Sequence, residues 1–213
     1  MKGQQMNALY DISTLETANH GQDDPLSLFA NWLTEAKNHE MNDPDAMCLA
    51  TSTKDGRPSA RMVLLKDATS EGFKFHTNSN SQKGTELAQN SFAALCFHWK
   101  SLRKQVRIEG IVKMVSADEA DEYYKTRPHG RQIGGWASDQ SKEMISRSDL
   151  KKRIADYEKQ YQDDAPIPRP PFWNGYRVIP TRIEFWDNGT DRLHTRLMYE
   201  KDGDGWRKSL LYP

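Results

Sequence analysis

The chain lacks several features that would narrow its function quickly. It has two cysteines in 213 residues, so neither a disulfide framework nor a cysteine-built metal centre is expected. It has no net charge, because thirty basic residues cancel thirty acidic ones. No overall field favours nucleic acid or an anionic membrane, and any recognition of phosphate must be local. No apolar run is long enough to span a bilayer, and Met1-Lys2-Gly3-Gln4-Gln5-Met6 has no apolar stretch of the signal-peptide kind. The expectation is a cytoplasmic protein. A Gly-rich phosphate loop and strand–helix alternation are both missing, which argues against a Rossmann domain. No Cys/His spacing points to zinc, no nucleophile elbow is visible, and there is no internal repeat.

The apolar content is low as well: hydrophobic residues make up 36% and charged residues 28%. A lean chain of this kind is expected to complete its core against a second subunit. The two cysteines fall in apolar stretches, Ala46-Met47-Cys48-Leu49-Ala50 and Ala94-Leu95-Cys96-Phe97. They read as buried, reduced core residues.

Residues 1–23 are polar and irregular and read as a mobile arm. Residues 24–213 read as a single domain. Asp24-Pro25 starts a helix, with Leu26, Phe29, Leu33 and Ala36 at helical spacing. The period then changes, and strands are expected at 46–53, 59–67, 72–78, 91–99 and 103–116, with a short helix at 81–90. In the second strand Met62 and Leu64 share one face and Val63 and Leu65 the other. One face would line a barrel and the other would meet a helix or a second subunit. A helical insertion spans about 117–162, with helices at 117–126 and 148–161. A proline-rich connector, Pro166-Ile167-Pro168-Arg169-Pro170-Pro171, follows. Strands at 176–186, 192–201 and 206–211 close the chain, joined by turns at Asn188-Gly189 and Asp202-Gly203-Asp204-Gly205. The expected class is mainly β with flanking helices (α+β), built as an antiparallel barrel.

Candidate chemistry is carried by cations. As a strand, Arg192-Leu193-His194-Thr195-Arg196 would put Arg192, His194 and Arg196 on one face. That face is either a solvated surface or a seat for something flat and anionic, and the segment alone leaves both open. Arg61 and Lys66 bracket an apolar run at odd spacing, which would place them on opposite faces of one strand. Lys83 opens a helix whose N-terminal amides favour anions. Tyr123, Arg127 and Arg131 are four apart, although Pro128 would bend or end a helix there. Gln140-Ser141 offers neutral hydrogen-bonding groups. Phosphate sites need several such groups converging, and the chain holds enough for two.

The chain resembles the pyridoxine/pyridoxamine 5′-phosphate oxidase family. The resemblance rests on Arg61-Met62-Val63-Leu64-Leu65-Lys66, Phe75-His76-Thr77-Asn78, Arg103-Lys104-Gln105-Val106-Arg107-Ile108-Glu109-Gly110 and Arg127-Pro128. It continues through Gln132-Ile133-Gly134-Gly135-Trp136-Ala137-Ser138, Gln140-Ser141, Pro171-Phe172-Trp173, and Ile183-Glu184-Phe185-Trp186 with Arg192-Leu193-His194. It runs in order over about residues 24–213. The resemblance implies an FMN-binding split barrel and a homodimer with FMN at the subunit interface. It implies oxidation of the two B6 phosphates at C4′ to pyridoxal 5′-phosphate, with O2 giving H2O2. The implied FMN site comprises Arg61, Met62, Val63, Leu64, Leu65, Lys66, His76, Thr77, Gln82, Lys83, Gln105, Gln140, Ser141, Trp186 and Arg196. Lys66, Tyr123 and Arg127 are implied to hold the substrate phosphate, with Arg131 near them. Arg192 and His194 are implied to embrace the pyridine ring as the catalytic pair.

The chain departs from the family pattern at several positions. The family usually has Tyr at His76, Arg at Gln82 and Ser at Arg131. Gln82 removes a cation from the implied FMN phosphate site, and Arg131 adds one near the substrate phosphate. An Arg-x-x-Tyr element of the arm is matched only by Asn7-Ala8-Leu9-Tyr10, and Leu210-Leu211-Tyr212-Pro213 stands where Arg-Leu-x-Pro is typical. Two other readings compete: a split-barrel flavoprotein with another substrate, and a binding protein that stores FMN or pyridoxal phosphate. If Trp186 meets the flavin, the hairpin after it should have an odd register or a bulge rather than a tight two-residue turn.

Overall fold

The computed structural model describes residue 15, residues 24–161 and residues 166–213. Helix α1 (Pro25–His39) starts where Asp24 accepts hydrogen bonds from the backbone N–H groups of Leu26 and Ser27. Its apolar stripe buries Leu28, Phe29, Trp32 and Ala36. Strands β1 (Ala46–Ser52), β2 (Pro58–Leu64), β3 (Asp67–Thr69) and β4 (Gly72–Asn78) follow, then helix α2 (Gln82–Gln89). Strands β5 (Phe92–Trp99) and β6 (Lys104–Met114) lead to helices α3 (Ala117–Lys125), α4 (His129–Ala137) and α5 (Arg147–Gln160). The chain closes with β7 (Trp173–Asp187), β8 (Thr195–Asp202) and β9 (Gly205–Leu211).

The strands form one antiparallel sheet in the order β2-β1-β5-β6-β7-β4-β3, with β8 also on β7 and β9 on β8. Strand β7 organises this sheet. One edge pairs with β6 along Tyr176–Asp187. The other edge pairs first with β4, through Val178, and then with β8, from Arg182. Pro180, which has no N–H to donate, falls between those two partners. The register with β6 shifts there, between Glu109 and Gly110. A Cβ at Gly110 would lie 2.0 Å from the Ile179 carbonyl oxygen, so glycine permits the close approach.

One sheet face and α1 enclose the main core: Met47, Leu49, Phe73, Phe75, Leu95, Phe97, Val106, Ile108, Ile183 and Phe185. Phe29 sits at its centre, edge-on to Phe73 at 4.9 Å and Phe97 at 5.1 Å. Leu15 is fully buried in the same core. The rest of the expected 1–23 arm, with Asn7–Tyr10, lies outside the described residues. A smaller core of Tyr124, Ile133, Ile167 and Trp173 joins the helices to β7. No helix among the described residues is long and apolar enough to cross a membrane.

Several expectations need correction. The strand expected over 59–67 ends at Leu64, and Lys66 lies in a short connection to β3. The opposite-face argument for Arg61 and Lys66 therefore fails, and both reach one cleft. Helix α4 was not expected, because Gly130, Gly134 and Gly135 weaken helix propensity there. Packing overrides propensity: Ile133 and Ala137 are buried, and Tyr124 Oη donates to the Gln132 carbonyl at 2.6 Å. Cys48 and Cys96 are not core residues. They are free and half-buried, and they face each other across β1 and β5 on the side away from the core. Arg192–His194 are not strand. They follow and form a 3-10 turn (Thr190–Arg192), and β8 begins at Thr195.

Removing the central ring should show how far the fold relies on this core. Phe29→Ala is expected to cost about 3–5 kcal/mol in urea unfolding. A loss below about 1 kcal/mol would mean that α1 is not the lid of the core.

Candidate functional site

A cleft of about 990 Å³ opens between β2, the end of β4, the start of α2 and the α3–α4 corner. It has two cationic ends.

At the first end Arg61 points from β2. It donates to the carbonyls of Leu49 (3.2 Å) and Ser59 (3.3 Å) and to the hydroxyls of Thr51 and Ser59. Behind it lies Glu86, a buried carboxylate that accepts from Thr51 and Ser59, from Arg61 at 3.5 Å and from Gln82 at 2.9 Å. Burial alone would raise its pKa. These hydrogen bonds and the Arg61 charge outweigh burial and hold it down at about 2. The Gln82 amide is thus tied to Glu86. Lys83 is buried and pairs with no carboxylate among the described residues; its Nζ donates to Ser81 Oγ (3.1 Å) and Gln140 Oε1 (2.9 Å). Thr77 donates to the same Gln140 oxygen at 3.2 Å, and Ser141 follows on the cleft wall. Burial, then the Arg61 charge, pushes the Lys83 pKa down to about 8. Ser81 caps α2 through Gly84 N–H, so the helix presents its positive end here as well.

At the second end Lys66 makes a loose ion pair with Asp45 at 3.7 Å. Arg127 leaves α3 just before Pro128, which ends that helix and starts α4. Its guanidinium lies over Trp173 (4.6 Å) and Tyr124 (5.3 Å). It pairs with no acid among the described residues, and its Nη1 is buried without a hydrogen-bond partner. Desolvation, then the nearby Arg131 charge, works against its charged form. Tyr123, Arg131 and His76 complete this wall.

Met62, Val63 and Leu64 form the rim between the ends, with Met62 and Leu64 exposed. Leu65 does not reach the cleft; it is buried in the core.

The remaining site residues lie elsewhere. Gln105, Trp186 and Arg196 form one row across β6, β7 and β8. The connection from Asp187 to Thr195 is seven residues, an odd length that puts Trp186 opposite Arg196. The odd register expected for Trp186 is therefore present, and the tight turn at Asn188-Gly189 is not. A Cβ at Gly189 would lie 1.8 Å from the Leu193 carbonyl oxygen, and Arg192 has φ +65°. Left-handed backbone at a non-glycine residue costs energy and marks a constrained turn. Gly189 N–H donates to His194 Nδ1 at 3.2 Å, so the neutral imidazole carries its proton on Nε2. The His194 ring rests on Trp186 at 4.5 Å. Arg196 Nε is bound by buried Glu184 at 2.7 Å, and Arg107 holds the other Glu184 oxygen at 3.1 Å. Sequence reasoning missed Glu184 and Glu86. For Glu184, a lone glutamate between Ile183 and Phe185 was the available signal; Glu86, in a polar helix, offered none.

Gly175 of β7 faces His76 at the cleft, and Trp186 lies eleven residues further along that strand. At about 3.3 Å per residue that is about 35 Å of strand, which sets the Gln105–Trp186–Arg196 row well away from the cleft.

The family model described as pyridoxamine 5′-phosphate oxidase matches residues 33–161. A second, the pyridoxine 5′-phosphate oxidase C-terminal dimerisation region, matches 173–213. A pyridoxine/pyridoxamine 5′-phosphate oxidase of Pelagibacter ubique is 53% identical, covering 89% of this chain and 92% of that protein. One from Rhodospirillum rubrum is 52% identical, covering 89% and 96%. Among solved structures, PhzG from Burkholderia lata, in complex with tetrahydrophenazine-1-carboxylic acid, superposes with a TM-score of 0.86 at 33% identity. It covers 92% of this chain and 95% of that one.

The lowered pKa of Lys83 makes anion binding pH-dependent. Below about 8 the amine is charged and attracts an anion; as the pH rises through that value the empty site loses the charge. Inorganic phosphate should bind more weakly at about pH 9 than at about pH 7 in calorimetry, and Lys83→Met should abolish that difference. Equal slopes for the two proteins would remove Lys83 from the anion site.

Proposed function

The chain belongs to the pyridoxine/pyridoxamine 5′-phosphate oxidase family, and from that membership we propose how its own residues carry the reaction. The protein is an FMN-dependent oxidoreductase and a homodimer. It converts pyridoxine 5′-phosphate and pyridoxamine 5′-phosphate to pyridoxal 5′-phosphate. The single observation that carries the residue assignment is the pair of cationic ends in one cleft, where neither Lys83 nor Arg127 has a carboxylate partner among the described residues.

The first end suits the FMN phosphate. A buried lysine without a carboxylate, Arg61 and a helix N-terminus together need an anion. Thr77, Gln140 and Ser141 add neutral contacts, and Met62–Leu64 supply an apolar edge for a flat ring. The second end suits the substrate phosphate, held by Lys66, Tyr123, Arg127 and Arg131. Gln105, Trp186, Arg192, His194 and Arg196 come from the other subunit, because about 35 Å of β7 separates them from their own cleft. When bound, FMN supplies the acceptor for the hydride leaving C4′, and O2 takes the electrons on to H2O2.

The protein itself binds and orients. The phosphate grip fixes one end of the substrate, and Arg192 with His194 close over the ring at the other. The Gly189 N–H on Nδ1 leaves His194 Nε2–H to donate toward the substrate. Glu184 and the Tyr212 carbonyl (2.9 Å from Nη1) hold Arg196 in one orientation. The two thiols are free although their Cα positions are direct register partners. That fits a reducing compartment, and we place the protein in the cytoplasm.

The purified protein should carry flavin colour, and under air it should turn pyridoxamine 5′-phosphate into pyridoxal 5′-phosphate and peroxide. Flavin without turnover would favour storage or another substrate. Arg127→Ala should raise KM about 10- to 100-fold, the loss of charged hydrogen bonds to the phosphate. Arg131→Ser should raise KM by a smaller factor, about threefold to tenfold; an unchanged KM would make Arg131 a surface residue.

A further inference from the structure

His76 projects from β4 directly opposite Gly175 of β7. A Cβ at Gly175 would lie 2.9 Å from His76 Nε2, so the imidazole packs against bare backbone. Two rings lie parallel to it: Tyr123 at 4.1 Å and 11°, and Trp173 at 4.9 Å and 7°. Tyr123 and Trp173 are 6.0 Å apart, so the phenol of Tyr123 rests chiefly on His76. Trp173 in turn lies under Arg127. Each of these two phosphate ligands thus has an aromatic support on the sheet.

Both nitrogens of His76 are buried, and neither has a hydrogen-bond partner among the described residues. Burial, then the charges of Lys74, Arg127, Lys66 and Arg169, pushes its pKa down to about 3. The ring is neutral at any working pH. Its polar atoms make no contact that would explain a histidine here, whereas its flat face makes the closest ring contact of Tyr123.

We propose that His76 is a positioning residue for the substrate-phosphate end, acting through the face of its ring to set Tyr123. This rests on the assignment of Tyr123 and Arg127 to the substrate phosphate. What is required of position 76 is a planar ring of about this size. Its neighbour Thr77 donates to Gln140 at the other end of the cleft, so FMN affinity shows whether a change at 76 stays local.

Three variants and two readouts test this in the holoenzyme. His76→Leu keeps apolar bulk without a planar face. It should raise the KM for pyridoxamine 5′-phosphate about fivefold to tenfold, with kcat within twofold, and weaken inorganic phosphate binding by a similar factor. His76→Phe should restore KM and phosphate affinity to within about twofold of the parent. It should also raise Tm, because it removes two unpaired buried polar atoms. His76→Tyr should behave like Phe in KM. FMN affinity, read by fluorescence quenching, should be the same in all. A Leu variant with parental KM would overturn the proposal, as would a Phe variant as impaired as Leu, which would put a ring nitrogen on the ligand. Phosphate affinity is measured without turnover. An inactive parent that still shows the Leu and Phe contrast would therefore count against the substrate and not against His76.

Discussion

Strand β7 has to serve two neighbours on one edge. From Tyr176 to Asp187 one edge pairs with β6 alone, across one register shift, while the opposite edge is shared by β4 and β8. The changeover falls at Pro180 and the Gly110 bulge, where a missing N–H and a missing Cβ remove the two objections to a break in pairing. Everything ligand-facing follows from this. The first residues of β7 carry Trp173 beneath Arg127 and Gly175 beneath His76. Its last residues carry Glu184 and Trp186 beside Arg196 and His194. A strand cannot fold back on itself, so the two groups stay apart within one chain, which is why the proposed site draws on two subunits. Exposed Met62 and Leu64 on the cleft rim are the apolar surface such a meeting needs.

Charge in this protein falls into two kinds. Scaffold charges are matched: Glu184 lies between Arg107 and Arg196, and Glu119 of α3 between Lys74 and Arg177. The second cluster ties α3 to the sheet one turn before Tyr123. In the cleft, Arg61 shares Glu86 and Lys66 pairs loosely with Asp45, but two cations have no carboxylate among the described residues. Lys83 is buried without a carboxylate, and Arg127 has a guanidinium nitrogen with no partner. A lysine whose folded pKa is lowered makes the empty protein less stable below that pKa. A bound phosphate offsets that cost, so affinity and strain are two sides of one arrangement. Glu86 moderates it by taking up part of the Arg61 charge and the whole Gln82 amide.

Much of this was legible in the residues. Asp24-Pro25 marked a helix start that the structure keeps, and the helices expected at 81–90 and 117–126 stand to within a residue at each end. Alternation located β1, β4, β5 and β6 to within a residue or two at each end. Other features were not legible, each for a local reason. Helix α4 contains three glycines and forms because Ile133 and Ala137 are buried. Cys48 and Cys96 sit in apolar runs, yet their strand parity puts them on the outer face, and parity is set by register rather than composition. The Arg192–His194 segment alternates like a strand, but a seven-residue connection holds it in a turn with left-handed residues.

The sequence by itself determined most of the element order, though not β3 or α4, as well as the cationic residue types and, through long ordered motifs, the family. These are properties of local pattern, and local pattern survives without coordinates. Only the tertiary structure decided which cations are neutralised and which are left for a ligand, because that depends on neighbours far apart in sequence, such as Glu86 with Arg61 or Gln140 with Lys83. It likewise decided the surroundings of His76, whose nitrogens are buried without partners among the described residues and whose ring lies flat against Tyr123.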